Sequence, residues 1–124
     1  MNGYSVTIKE VSEQLTAKQR IAIKDTMSAR KLDEATQEAD VIIKPVMWAV
    51  LGIHNDKADD PDYDNYVIVG ENGEKYVTGS SSFWDSFMNI YDEMSGEDEE
   101  WSIRIFRVDS KNYKGKQFLT CSIE

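Results

Sequence analysis

The last 24 residues constrain the fold more than any other stretch of this sequence. Residues 101–108 and 117–124 are two runs of alternating apolar and polar side chains, separated by Asp109-Ser-Lys-Asn-Tyr-Lys-Gly-Lys116. Successive strand side chains point to opposite faces. Trp101, Ile103 and Ile105 therefore share one face of the first run, with Ser102, Arg104 and Phe106 on the other. In the second run Leu119, Cys121 and Ile123 lie together, and Phe118, Thr120 and Ser122 lie opposite. The pattern predicts a hairpin that buries one face against a core. Each strand also puts an aromatic on its more polar face, and the turn between them carries Lys111, Tyr113, Lys114 and Lys116.

Charge is segregated along the chain. The whole is −9, yet residues 101–124 hold five cations against two carboxylates, and residues 18–31 five against one. Residues 32–100 carry 18 acidic and three basic side chains, a net −15. A globally acidic protein is a poor nonspecific ligand for nucleic acid. Separate basic segments can still act locally, because exposed charges beyond about 8–10 Å are largely screened at physiological salt.

A chain of 124 residues is expected to form one domain, 1–124, and to bury a normal core without staples. The single cysteine, Cys121, excludes an intramolecular disulfide, and its place on an apolar strand face predicts a buried thiol. The N-terminus has no apolar signal-peptide region, and the longest apolar run, residues 45–53, is far short of a membrane span. A cytoplasmic protein without membrane contact is the expectation.

Residues 1–18 read as an N-terminal extension open to two descriptions, a helix with Ile8, Val11 and Leu15 on one side or a short strand with Tyr4, Val6 and Ile8. Residues 20–27 alternate around Ile21 and Ile23 and predict a first strand, and residues 28–39 a polar loop. Residues 40–54 are a long β-branched run, a second strand, in which Pro45 argues for an edge, a bulge or a bend. Val41, Ile43, Met47, Ala49 and Leu51 would face inward, and Lys44 and Trp48 outward. After an acidic loop, residues 65–69 and 75–78 predict two short strands around Asn72-Gly73, a strong hairpin signal. Tyr66 and Tyr76 are expected on the outward face of that pair. Phe83, Trp84, Phe87, Met88, Ile90, Tyr91 and Met94 form a three-four apolar stripe, predicting a core helix. Ser82 with Asp85 resembles a capping box, and Gly96 is a natural stop.

The predicted fold class is mainly β with one main helix. Its element order is that of the OB-fold, a five-stranded Greek-key barrel with a helix between strands 3 and 4. In that fold the loops after strands one and four flank the binding face. Residues 28–39 and 109–116 would then bring both basic segments around one groove.

With these residues in view, the chain resembles the small single-stranded DNA-binding proteins encoded by bacteriophages. The matching segments are Asn65-Tyr-Val-Ile-Val, Glu74-Lys-Tyr-Val-Thr-Gly-Ser-Ser-Ser-Phe83, the following helix, and Ser110-Lys-Asn-Tyr-Lys-Gly-Lys-Gln-Phe-Leu-Thr120. They cover roughly the second half of the chain. The resemblance implies an OB-fold that coats single strands during phage replication or recombination in the cytoplasm of an infected bacterium. The acidic, apolar-tipped tail of bacterial members is absent from this sequence, which puts recruitment of host enzymes through such a tail in doubt.

The expected phosphate contacts are Lys24, Arg30, Lys31, Lys44, Arg104, Arg107, Lys111, Lys114 and Lys116. The expected stacking residues are Trp48, Tyr76, Phe106, Tyr113 and Phe118. Three of these have a plainer alternative. Trp48 shares its face with Val46 and Val50 and could be core, and Phe106 and Phe118 could form a minor second core under the N-terminal segment. Asp60, Asp62, Asp64 and Glu71 have calcium-loop spacing, but Asn65 stands where that loop requires Gly, and a solvated acidic loop is the favoured reading. No cofactor, metal or catalytic constellation is expected: there is one histidine, His54, and no nucleophile or phosphate-loop motif. An oligomer and replication or recombination proteins are candidate partners besides single-stranded DNA. The alternative reading is an acidic nucleic-acid mimic that inhibits a host nuclease, and a third is an interaction module without DNA contact of its own.

Overall fold

The computed structural model describes residues 3–111 and 114–124. The chain is mainly β, built from two sheets and three helices. Sheet A takes β1 (Tyr4–Val11), β4 (Pro45–Asn55), β5 (Asp62–Gly70), β6 (Lys75–Thr78) and β2 (Arg30–Lys31), in the order β1-β4-β5-β6-β2. Sheet B takes β3 (Val41–Ile43), β7 (Ile103–Asp109) and β8 (Gln117–Ile123), in the order β3-β7-β8. Only the short β2–β6 pair is parallel. Among the described residues neither sheet closes into a barrel. Within the N-terminal extension, β1 is an edge strand of sheet A, paired antiparallel with β4 along nearly its whole length.

Residues 20–27 are not a strand. They lie in α1 (Ala17–Lys24) and a 3-10 turn (Thr26–Ser28). A reciprocal cap decides the local structure: Thr16 Oγ1 accepts from Gln19 N at 3.2 Å, and Gln19 Oε1 accepts from Thr16 N at 2.8 Å. Of the two isoleucines, Ile23 is buried and Ile21 is 72% exposed. Residues 28–39 are likewise more ordered than a loop, containing β2 and the one-turn helix α2 (Leu32–Ala35), whose Leu32 is fully buried.

The long β-branched run bends as Pro45 requires. It splits at Lys44, so that β3 belongs to sheet B and β4 to sheet A, with a register irregularity between Pro45 and Met47. Pro45 opens β4, where its missing N–H is harmless. The irregularity also inverts the alternation. Val41 and Ile43 enter the core between the sheets, whereas Met47, Ala49 and Leu51 enter a second core under α1. Both faces of β4 are thereby covered, and Trp48 points into the first core, not outward.

The β5–β6 hairpin forms around Asn72-Gly73. Gly73 has φ +84°, a conformation only glycine adopts cheaply, and its N–H reaches Gly70 O at 2.9 Å. Helix α3 (Ser81–Met94) is capped by Ser80, whose hydroxyl accepts from Phe83 N at 3.2 Å, not by Ser82. The β-conformation of Ser80 starts the helix two residues earlier than the spacing predicts. Phe83, Trp84 and Phe87 are buried, Trp84 and Phe87 lying with ring centroids 4.9 Å apart. The result is three layers. α1 covers one face of sheet A, and α3 with sheet B covers the other.

Candidate nucleic-acid interface

The C-terminal hairpin forms in the predicted register, with Ile105 opposite Cys121 and Phe106 opposite Thr120. Ile103, Ile105, Leu119 and Cys121 are buried against α3 and sheet A. Burial pushes the Cys121 thiol up to about 11, the inert state expected of a core cysteine. The hairpin's other face is open. It presents Arg104, Phe106 and Val108 from β7, Phe118 and Thr120 from β8, and Ile42 from β3 opposite Arg104. Ile42, Val108 and Phe118 are 56%, 36% and 44% exposed. Among the described residues the N-terminal segment does not cover this surface, since β1 lies in sheet A.

Phe106 and Phe118 sit diagonally across the β7–β8 pair, on the same face. The Arg104 guanidinium lies 5.6 Å from the centre of the Phe106 ring, in cation–π range. Arg104 also meets Asp40 at 3.8 Å and Glu124 at 3.7 Å. All three groups are about half exposed, so these pairs contribute about 0–1 kcal/mol and are easily exchanged. The turn beyond the strands closes through Ser110 N to Lys116 O at 2.9 Å, and Gly115 with φ +82° permits the reversal. Lys111, Lys114 and Lys116 are exposed, and none has an ion-pair partner among the described residues. Tyr113 lies outside the described residues.

The remaining predicted site residues are elsewhere. Arg107 is on the core-facing side of β7, where its Nε donates to Thr36 Oγ1 at 3.0 Å and its Nη2 to Asp33 O. It ties β7 to α2, and its charge is committed to that anchor. Lys44 is held at the sheet corner by Glu100 at 3.4 Å and Glu71 at 3.9 Å. Tyr76 is 4% exposed, and its hydroxyl donates to Glu74 Oε2 at 3.1 Å. Arg30 stands over that ring at 5.6 Å and pairs with Glu74 at 3.7 Å. Tyr66 faces the same core and stacks on Trp84 at 4.9 Å. The outward placement expected for Tyr66 and Tyr76 fails because that face of β5 and β6 packs under α3 and sheet B. Trp48 meets Trp84 and Tyr91 edge-on at 5.8 and 6.3 Å.

Lys24 and Lys31 are exposed, but the α1 part of the first basic segment lies away from the β7–β8 hairpin. Lys18, Arg20 and Lys24 belong to α1, on the face of sheet A opposite sheet B. For these three cations the expectation fails with the strand assignment, since a helix at 17–24 carries them to the far side of sheet A, whereas residues 28–39 do reach β7, where Asp33 O and Thr36 Oγ1 accept from Arg107.

Two side-chain groups escaped the sequence reading. His54 is clamped between Asp62 (Nδ1 to Oδ1, 2.7 Å) and Asp56 (Nε2 to Oδ1, 2.6 Å), and Lys9 reaches Asp64 at 3.0 Å. They line an open groove of about 440 Å³ on the outer part of sheet A, with Thr7 and Gly52 at its floor. The alternation of residues 62–64 was a usable signal, but only once β5 was known to begin at Asp62. The strand also dissolves the calcium-loop spacing, because Asp62 opens β5 and Glu71 follows its last residue, Gly70. Comparison with known proteins finds no matching family model, no matching curated sequence and no matching solved structure.

Proposed function

We propose that this chain binds single-stranded DNA without sequence preference, through the outer face of sheet B and the basic turn at its end. The observation that carries this reading is the open face of β7–β8. Two aromatics and an arginine share that face, and the turn at its end carries three lysines free of ion pairs among the described residues. Exposed rings stack on any base, and cations follow the phosphates, so the surface suits a strand of any sequence. Within this reading the protein coats exposed strands during phage replication or recombination.

The finer fold reading belongs to the same proposal. A long bent strand serving both sheets, then β5–β6, helix α3 and β7–β8, matches an OB-fold's strand 1, strands 2–3, helix, and strands 4–5. In such a framework closure would join β6 to β8, which do not pair among the described residues. The usual ligand face of strands 2–3 is covered here by α1 through Ile23 and Leu15. The proposed interface therefore lies on β7–β8.

The test is anisotropy of a labelled oligo-dT of ~30 nucleotides, longer than the ~4–16 that one OB-fold occupies, at several salt concentrations. With Arg104, Lys111, Lys114 and Lys116 engaged, log affinity should fall against log salt with a slope of about −2 to −3, at ~0.7 per phosphate. Salt-independent binding, or none at low salt, overturns the reading, and the acidic-inhibitor alternative would then come first.

A further inference from the structure

The outer side of α1 has no partner among the described residues. Lys18, Ile21 and Lys24 lie on one helix face, three residues apart, and Met27 follows in the 3-10 turn. Ile21 is 72% and Met27 93% exposed, and neither lysine has an ion pair among the described residues. Ile21 between the two uncompensated cations and Met27 just beyond them are large apolar side chains left in water, and their chemistry asks for an acidic surface with an apolar floor.

This chain carries such a surface on its opposite side. Where β3 turns into β4, a groove of about 170 Å³ is lined by Val46, Trp101, Glu71, Glu99, Glu100 and Lys44. Val46 is 48% exposed and Trp101 half-buried, and together they form the apolar floor. Three carboxylates against one lysine leave the rim negative, and Glu97 and Asp98 add exposed carboxylates beside it. The groove belongs to the side of sheet A that carries α3 and sheet B, whereas α1 covers the other side.

We propose that the partner of the α1 face is the acidic groove of a second copy of this chain. Ile21 and Met27 enter the groove over Val46 and Trp101, while Lys18 and Lys24 meet Glu99 and its neighbours. Because the two complementary surfaces lie on opposite sides of sheet A, each contact leaves one free face on either copy. The association is heterologous, head to tail, and extends past a dimer. The overall charge of −9 opposes any generic clustering, so only this local complementarity brings copies together.

Sedimentation velocity of the full chain, without nucleic acid, tests this apart from the DNA-binding reading. Wild type should form species larger than a dimer at about 0.05 M salt, weakening at least tenfold by about 0.5 M as the charges are screened. Met27→Asp disables one surface and Glu99→Lys the other. Both positions are exposed, and circular dichroism confirms the fold. Each variant alone should be monomeric, and their equimolar mixture should form a heterodimer and stop there, having one intact contact. Monomeric wild type at low salt, association surviving Met27→Asp, or a mixture that stays monomeric would each overturn the proposal.

Discussion

Phe118→Ala separates the proposed interface from every other surface of the molecule. Phe118 is 44% exposed and points away from the core, opposite Val108. One base–aromatic stack is worth ~1–3 kcal/mol, which converts to a loss of roughly 5- to 150-fold in affinity for oligo-dT. Stability should move little, by no more than about 1 kcal/mol, the whole span of strand propensity in a host protein. Affinity is read by anisotropy at fixed salt and stability by urea denaturation. The salt slope should survive, because no cation is removed, whereas Lys114→Ala should make it shallower by about 0.7. Tryptophan emission should change little on binding, since Trp48, Trp84 and Trp101 all pack around α3. Affinity of Phe118→Ala within twofold of wild type refutes the placement of the site on sheet B. Strong tryptophan quenching would move it to another face.

Three further outcomes follow from the packing and the charges. Phe87→Ala should cost about 3–5 kcal/mol in urea unfolding, because Phe87 is fully buried with Trp84, Phe83 and Tyr91 around it; a loss under about 1 kcal/mol would contradict the role of α3 as the wedge between the sheets. Arg107→Ala should cost about 1.5–3 kcal/mol, the range for hydrogen bonds from a charged donor, and should leave the salt slope of DNA binding unchanged; a shallower slope would mean that Arg107 reaches phosphate after all. His54 should titrate above its ordinary 6.5, because hydrogen bonds to Asp62 and Asp56 favour the imidazolium. The native state then binds the proton more tightly, so the clamp's stabilisation is full below the unfolded value and is lost as pH rises through the folded one. As the chain has a single histidine, its ring-proton NMR titration is unambiguous, and a midpoint not lowered by Asp62→Asn would refute the clamp.

What was legible from residue order was whatever a short window decides. The β5–β6 turn rests on Asn72-Gly73, the C-terminal hairpin on two clean alternations, and α3 on seven apolar residues at helical spacing, and all three formed. The misreading of residues 20–27 was also local. Two isoleucines two apart suit a strand, but the Thr16–Gln19 cap just upstream of them outweighs the pattern. Propensity and period compete in so short a helix, and the cap is the tie-breaker.

The site residues divide along a different line. Phe106 and Phe118 were placed on the open face because each is fixed by its own strand's alternation and by a neighbour that is plainly core. Trp48 and Tyr76 were misplaced because β4 and β6 are covered on both sides, so alternation names two faces without saying that both are interior. The register irregularity after Pro45 then inverts which face is which, and a one-residue slip exchanges every side chain of a strand. The cations fail for a related reason. Lys44 and Arg107 look no different in sequence from Lys111 and Lys114, yet the first two are engaged by residues 27–74 positions away that only the fold brings near. A lysine-rich turn at the end of a two-stranded hairpin has no such distant neighbour. Lys111, Lys114 and Lys116 have no ion pair among the described residues, and neither have Lys18 and Lys24 on α1, but the turn's lysines adjoin the aromatics of β7–β8, and the proposed interface is anchored at that end of sheet B.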